Sequence, residues 1–271
     1  MSHDHWVEIL IAISPGLVLA IGVFLAFFVF LMVDPGAFRK EASRRHGTWM
    51  VPKVFVRFFY WFTEPIATLM AAFRIHPNYI TAFSLVLAIG AGSAIAMGHF
   101  MVGFWLFFGA IACDLIDGVA ARSQNISSQA GAMLDSWIDR AAEGAVLAGL
   151  AIYGRDTILL ELSLWALVAS VMVSYSRARG QALGIDIKQG LMQRPERTFV
   201  LCWAIFLSPL VAIWVEPQAA QPIYHAAIVG VAILAFLSTI TAFNRLRWTM
   251  LALHDGERGT TGSVQPSQDN P

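Results

Sequence analysis

The chain has 271 residues, 57% hydrophobic and 13% charged, with a formal net charge of +0 and a mean hydropathy of +0.63. A soluble globular domain carries about 25% charged residues. The composition therefore excludes an ordinary soluble domain, and the balanced charge implies no nucleic-acid partner.

Long apolar runs point to an all-α integral membrane protein, because a spanning helix needs roughly 20 apolar residues. The first predicted span covers about 9–33, is uncharged from Ile9 to Val33, and stops at Asp34-Pro35-Gly36. No small-residue cleavage site follows before Asp34, so it reads as an anchor. Residues 1–34 are thus an extra N-terminal transmembrane helix. Residues 35–75 are a cytoplasmic basic segment that opens with Arg39, Lys40, Arg44 and Arg45. Its second half mixes Phe55, Phe58, Phe59, Tyr60, Trp61 and Phe62 with Lys53, Arg57, Glu64 and Arg74. Aromatics interleaved with cations predict a helix lying in the interface. Six further spans follow at about 79–97, 101–122, 129–153, 158–180, 197–215 and 223–246, forming one membrane domain over 76–250. Residues 251–271 are polar and rich in Gly, Ser, Thr, Gln and Pro, which predicts a disordered cytoplasmic tail. Cys113 and Cys202 stand apart in apolar runs and suggest neither a disulfide framework nor a zinc site.

Cytoplasmic loops of membrane proteins carry an excess of Lys and Arg. With 34–78 in the cytoplasm, the loops near 123–128 and 181–196 and the C-terminus share that side. Of the 18 Lys and Arg residues only Arg155 then falls on the other face. An eighth span over 51–74 would send Arg177, Arg179, Lys188, Arg194 and Arg197 outside, against the rule.

Four aspartates flank the 123–128 turn. Asp114 and Asp117 are three apart, and Asp135 and Asp139 four apart, so each pair shares one helix face. A hairpin of the two helices would point the faces at one another. Ionisable groups at that depth are costly and are functional by default. Four carboxylates call for cations, and hard divalent ions such as Mg²⁺ take oxygen ligands. A pair of metals can clamp a phosphate during displacement. Gly118 and Gly131 lie on the carboxylate faces, where a missing side chain admits a bulky ligand. Arg122 is one turn beyond Gly118 and offers a fork for phosphate. Helix caps, salt bridges and the cation pathway of a transporter would also use intramembrane carboxylates, and these readings stay open at this point.

The full pattern is Asp114-x₂-Asp117-Gly118-x₂-Ala121-Arg122-x₈-Gly131-x₃-Asp135-x₃-Asp139. It resembles the signature of the CDP-alcohol phosphatidyltransferase family at every position. The likeness runs over about 76–247 and leaves the first span and the 34–75 segment outside. The resemblance implies a six-helix core, a homodimer, and displacement of CMP from CDP-diacylglycerol by an alcohol hydroxyl. It implies two divalent metals, Mg²⁺ or Mn²⁺, held by Asp114, Asp117 and Asp135, with Asp139 as the catalytic base and a further metal contact. It assigns Asp114, Asp117, Gly118, Ala121, Arg122 and Gly131 to the CDP-lipid. The site would face the cytoplasm of a bacterial inner membrane.

Arg177, Arg179, Arg194 and Arg197 gather at the cytoplasmic ends of the fourth and fifth core spans. The positive-inside rule alone predicts cations there. They would equally suit an acceptor phosphate, because arginine forks match its oxygens. The local sequences Gly131-Ala132-x-Leu134-Asp135-Ser136-x₂-Asp139-Arg140-x₂-Glu143-Gly144 and Ser174-Tyr175-x-Arg177-Ala178-Arg179 resemble the branch that uses inositol phosphate. The expected acceptor is therefore a small phosphorylated polyol, with glycerol 3-phosphate the alternative. Pro77, Asn78 and Thr81 open the first core span; they resemble the family's Pro-Asn start, which would bring them toward the substrate, though helix capping is sufficient explanation for them.

Overall fold

A computed structural model describes residue 22 and residues 25–33, 53–73, 75–124, 126, 128–187, 189–216 and 222–261. Every regular element among the described residues is helical. Of the first predicted span, residue 22 and residues 25–33 are described and helical. The basic stretch from Arg39 to Arg45 lies outside the described residues, as does the end of the predicted tail, 262–271. The helices are α1 (Lys53–Ala72), α2 (Pro77–Ala96), α3 (Phe100–Ser123), α4 (Gln129–Tyr153), α5 (Leu159–Ala182), α6 (Arg194–Val215) and α7 (His225–Thr261).

The boundaries follow local chemistry. Pro77 occupies the first turn of α2, where a missing N–H costs nothing. The His76 ring accepts from Asn78 N at 3.2 Å just ahead of it. Ser128 caps α4, its hydroxyl accepting from Gly131 N at 3.0 Å. Arg194, expected in a loop, is instead the first residue of α6, because Pro195 suits a first turn. Helix α7 continues to Thr261, past the predicted tail boundary at 250. No proline interrupts it, and polar composition by itself does not stop a helix.

Among the described residues five helices are long and apolar enough to cross a bilayer: α2, α3, α5, α6 and α7. Helix α4 is not among them, since it carries Asp135, Asp139, Arg140 and Glu143. Outward residues such as Phe83, Val86, Val168, Phe236 and Phe243 are more than half exposed. Apolar exposure on that scale marks a lipid-facing surface.

Helices α2 to α7 pack in a ring, in the order α2, α3, α6, α7, α5, α4 and back to α2. Its interior is the main core, built from Ile95, Phe100, Leu147, Leu150, Leu201 and Leu234 among others. Helices α3 and α4 scarcely touch each other, and both pack on α2. The aspartate faces of α3 and α4 still turn toward one another, as expected of the hairpin, and small residues set how closely α2 approaches each helix. Gly149 of α4 lies against the α2 backbone so closely that a Cβ there would sit 2.7 Å from the Gly92 Cα. On the other side a Cβ at Gly103 of α3 would sit 3.1 Å from the Ala91 carbonyl oxygen. Close backbone approach of this kind is how helices associate in lipid. Helix α1 docks outside the ring on α3, its Ala67 and Met70 meeting Ile80 and Ala120. Residues 25–33 pack on α1 through Phe30, whose ring lies 5.7 Å from both Phe58 and Trp61.

Candidate metal and phosphate site

One end of the ring gathers the charge. Helix α3 brings Asp114, Asp117 and Arg122, helix α4 brings Asp135 and Asp139, and the first turn of α6 brings Arg194. Carboxylate oxygens of Asp114, Asp135 and Asp139 all lie within 4.8 Å of one another. Three hard oxygen donors at that spacing fit a Mg²⁺- or Mn²⁺-type cation. Arg194 reaches the same group. Its Nη2 donates to Asp114 Oδ1 at 2.9 Å and also contacts Asp139 Oδ1.

Asp117 is set apart from these three. It is 5% exposed, and its Oδ2 accepts from Thr81 Oγ1 of α2 at 2.5 Å. Arg122 folds back over Gly118, since a Cβ added there would sit 3.4 Å from Nη1. Ala121 is half-buried on the same turn, and Gly131 lies opposite, one turn before Asp135. A Cβ at Gly131 would sit 3.5 Å from Asn78 Oδ1, so α2 borders this side of the site as well.

The second basic cluster divides. Arg177 and Arg179 are exposed at the end of α5, and Arg177 Nε stands 4.0 Å from Asp186 Oδ1. Arg197 points inward. Its side chain is 3% exposed and makes a two-pronged bond to Glu143, at 2.8 and 3.0 Å. Its Nη1 also donates to Met192 O at 3.3 Å. Bonds of this kind hold residues 189–193, which lead into Arg194. Arg245 of α7 donates to Gln189 O at 3.0 Å and to Val173 O at 2.9 Å. Met192 N donates to Thr241 Oγ1 at 3.0 Å. Gly190 takes a φ of 152°, and a Cβ there would lie 3.4 Å from Arg245 Nε.

Sequence reasoning singled out all four aspartates and Arg194. It missed the partnerships of Thr81, Glu143, Thr241 and Arg245. A buried threonine or arginine within an apolar helix was the available signal.

Residues 74–240 match the family described as CDP-alcohol phosphatidyltransferase. A phosphatidylinositol phosphate synthase of Corynebacterium glutamicum is 36% identical over 174 residues, which cover 59% of this chain and 78% of that one. An archaetidylinositol phosphate synthase of Methanothermobacter thermautotrophicus is 30% identical over 179 residues, 66% and 85% of the two chains. Among solved structures, Mycobacterium tuberculosis phosphatidylinositol phosphate synthase with CDP-DAG bound superposes with a TM-score of 0.61 at 29% identity, covering 69% of this chain and 92% of that one. The same enzyme in complex with manganese and citrate gives 0.61 at 28% identity, covering 69% and 88%. The manganese of that relative agrees with the divalent cations expected for the aspartates here.

Proposed function

Because the chain belongs to the CDP-alcohol phosphatidyltransferase family, a class of membrane enzymes of phospholipid synthesis, we propose that it transfers the phosphatidyl group of CDP-diacylglycerol to inositol phosphate and releases CMP. The observation that carries this reading is the meeting of Asp114, Asp135 and Asp139 with Arg194 at one end of the ring. Asp114, Asp117 and Asp135 hold two divalent ions, Mg²⁺ or Mn²⁺, with Asp139 close enough to share one. When bound, such ions neutralise charge on the pyrophosphate and on the departing CMP.

The remaining work falls to side chains. Asp139, as the carboxylate, takes the proton of the attacking hydroxyl, for which it must lie within hydrogen-bond reach. The acceptor oxygen then bonds to the phosphorus bearing the diacylglycerol, and the bond from that phosphorus to CMP breaks. Arg122, Gly118, Ala121 and Gly131 receive the CDP part, the glycines leaving room for it. Arg194, Arg177 and Arg179 receive the acceptor phosphate, and Arg197 stands behind them, bonded to Glu143. Helix α4 crosses the membrane as the sixth core span, its charged half lining the site. The site faces the cytoplasm, and the enzyme works as a homodimer.

An acceptor panel tests the reading. Purified protein in detergent receives CDP-diacylglycerol, Mg²⁺ or Mn²⁺, and in turn inositol phosphate, glycerol 3-phosphate, inositol and serine. CMP release is expected with inositol phosphate, about tenfold above inositol and serine, which lack the phosphate and forgo a charged hydrogen bond, and above glycerol 3-phosphate, which lacks the ring hydroxyls. Preference for glycerol 3-phosphate would overturn the acceptor. Release with none of them would favour a carboxylate-lined transporter.

A further inference from the structure

Thr81 lies on α2, the helix that packs on both of the helices carrying the aspartates. It is 5% exposed, as is Asp117. Its hydroxyl stands 3.1 Å from Pro77 O, the ordinary partner four residues back, and 2.5 Å from Asp117 Oδ2. A threonine hydroxyl has one proton to give, so it serves one partner at a time. The shorter contact to an anionic oxygen is the stronger.

The surroundings leave this hydroxyl little freedom. Ile80, the preceding residue, is buried against Ala120 of α3 and Ala67 of α1. Ser84 Oγ donates to Thr81 O at 2.7 Å one turn on. Further along α2, Gly92 abuts Gly149 and Ala145 of α4, which sets the depth of the helix between its neighbours. The donor that faces Asp117 is therefore mounted on a rigid element, and it holds the one carboxylate that stands apart from the Asp114, Asp135 and Asp139 group.

We propose that Thr81 is a positioning residue for Asp117: its hydroxyl holds Oδ2 and so sets how the carboxylate is presented to a divalent cation. This rests on the metal site of the proposed function. Thr81 itself touches neither cation nor substrate. Partners that orient a ligand are worth about 10–100-fold in metal affinity.

The test compares Thr81→Val, which keeps the shape and removes the hydroxyl, with Thr81→Ser, which keeps the hydroxyl. Full-length protein in detergent is titrated with Mn²⁺ alone, read by calorimetry and by the manganese paramagnetic signal, without substrate. Thr81→Val is expected to weaken Mn²⁺ binding by about 10–100-fold, and Thr81→Ser to stay within about threefold of wild type, since it retains the donor. In an Asp117→Asn background Thr81→Val should add less than about a twofold further loss, because the two residues act as one unit. Unchanged binding by Thr81→Val overturns the inference. So does Thr81→Ser as weak as Thr81→Val, or a full further loss in the Asp117→Asn background. Should Thr81→Val not fold, Thr81→Ala decides by the same criteria. Wild-type protein that takes up no Mn²⁺ overturns the metal site and this inference with it. Wild-type protein that takes up Mn²⁺ but releases no CMP in the acceptor panel overturns the function and leaves Thr81 in its role.

Discussion

Removing Arg197 should cost the protein its stability before it costs it a substrate. The pair with Glu143 is bidentate, at 2.8 and 3.0 Å, and the two side chains are 3% and 11% exposed. Arg197→Ala deletes both bonds and the one to Met192 O, and leaves the Glu143 carboxylate among buried neighbours. Breaking a buried pair from one side costs about 3–5 kcal/mol, because the remaining charge has lost its partner. For a chain of this size that is a fall in Tm of roughly 6–20 °C, at 2–4 °C for each kcal/mol. The assay is thermal unfolding of purified protein in detergent, alongside the double change Arg197→Met with Glu143→Leu. The double variant removes both charges and should recover most of the loss. Refutation would be an Arg197→Ala protein that melts like wild type while its KM for the acceptor phosphate rises. Arg197 would then face the substrate, and the bond to Glu143 would be dispensable.

Asp139→Asn should lower turnover by at least about 100-fold, the lower range of general-base effects. Its CDP-lipid binding, measured by displacement of a labelled nucleotide, should fall less than in Asp114→Asn. Arg177→Ala, at an exposed position 4.0 Å from Asp186, should raise the acceptor KM about tenfold, the worth of one charged hydrogen bond, with the CDP-lipid KM unchanged. Equal effects on both KM values would remove Arg177 from the acceptor pocket. Gly149→Ala would press a Cβ to 2.7 Å from the Gly92 Cα, and overpacking of that kind costs about 1–3 kcal/mol or more. Gly144→Ala, whose Cβ would meet only Leu167 Cδ1 at 3.5 Å, is the tolerated control in the same melting assay.

Much of the site was legible in the chain because its chemistry is periodic. Asp114 and Asp117 at three apart, and Asp135 and Asp139 at four, share helix faces wherever the helices go. Charge in an apolar run is conspicuous for the same reason that it is costly. Pairing across the ring left no such mark. Arg194 and Arg197 look alike in sequence and sit three apart, yet one reaches Asp114 and Asp139 while the other turns in to Glu143. The difference comes from where the first turn of α6 docks.

The sequence by itself determined the membrane class, the helix inventory of the ring and the set of aspartates that come to one end of it. Those follow from hydropathy and helical period, which are local properties. The tertiary structure decided that α2 packs on both α3 and α4, which touch each other little. It therefore also decided that a threonine of α2 holds Asp117. Which helix fills the gap depends on where glycines allow two backbones to touch, as Gly92 and Gly149 do. That depends on residues far apart in the chain, and no local pattern records it.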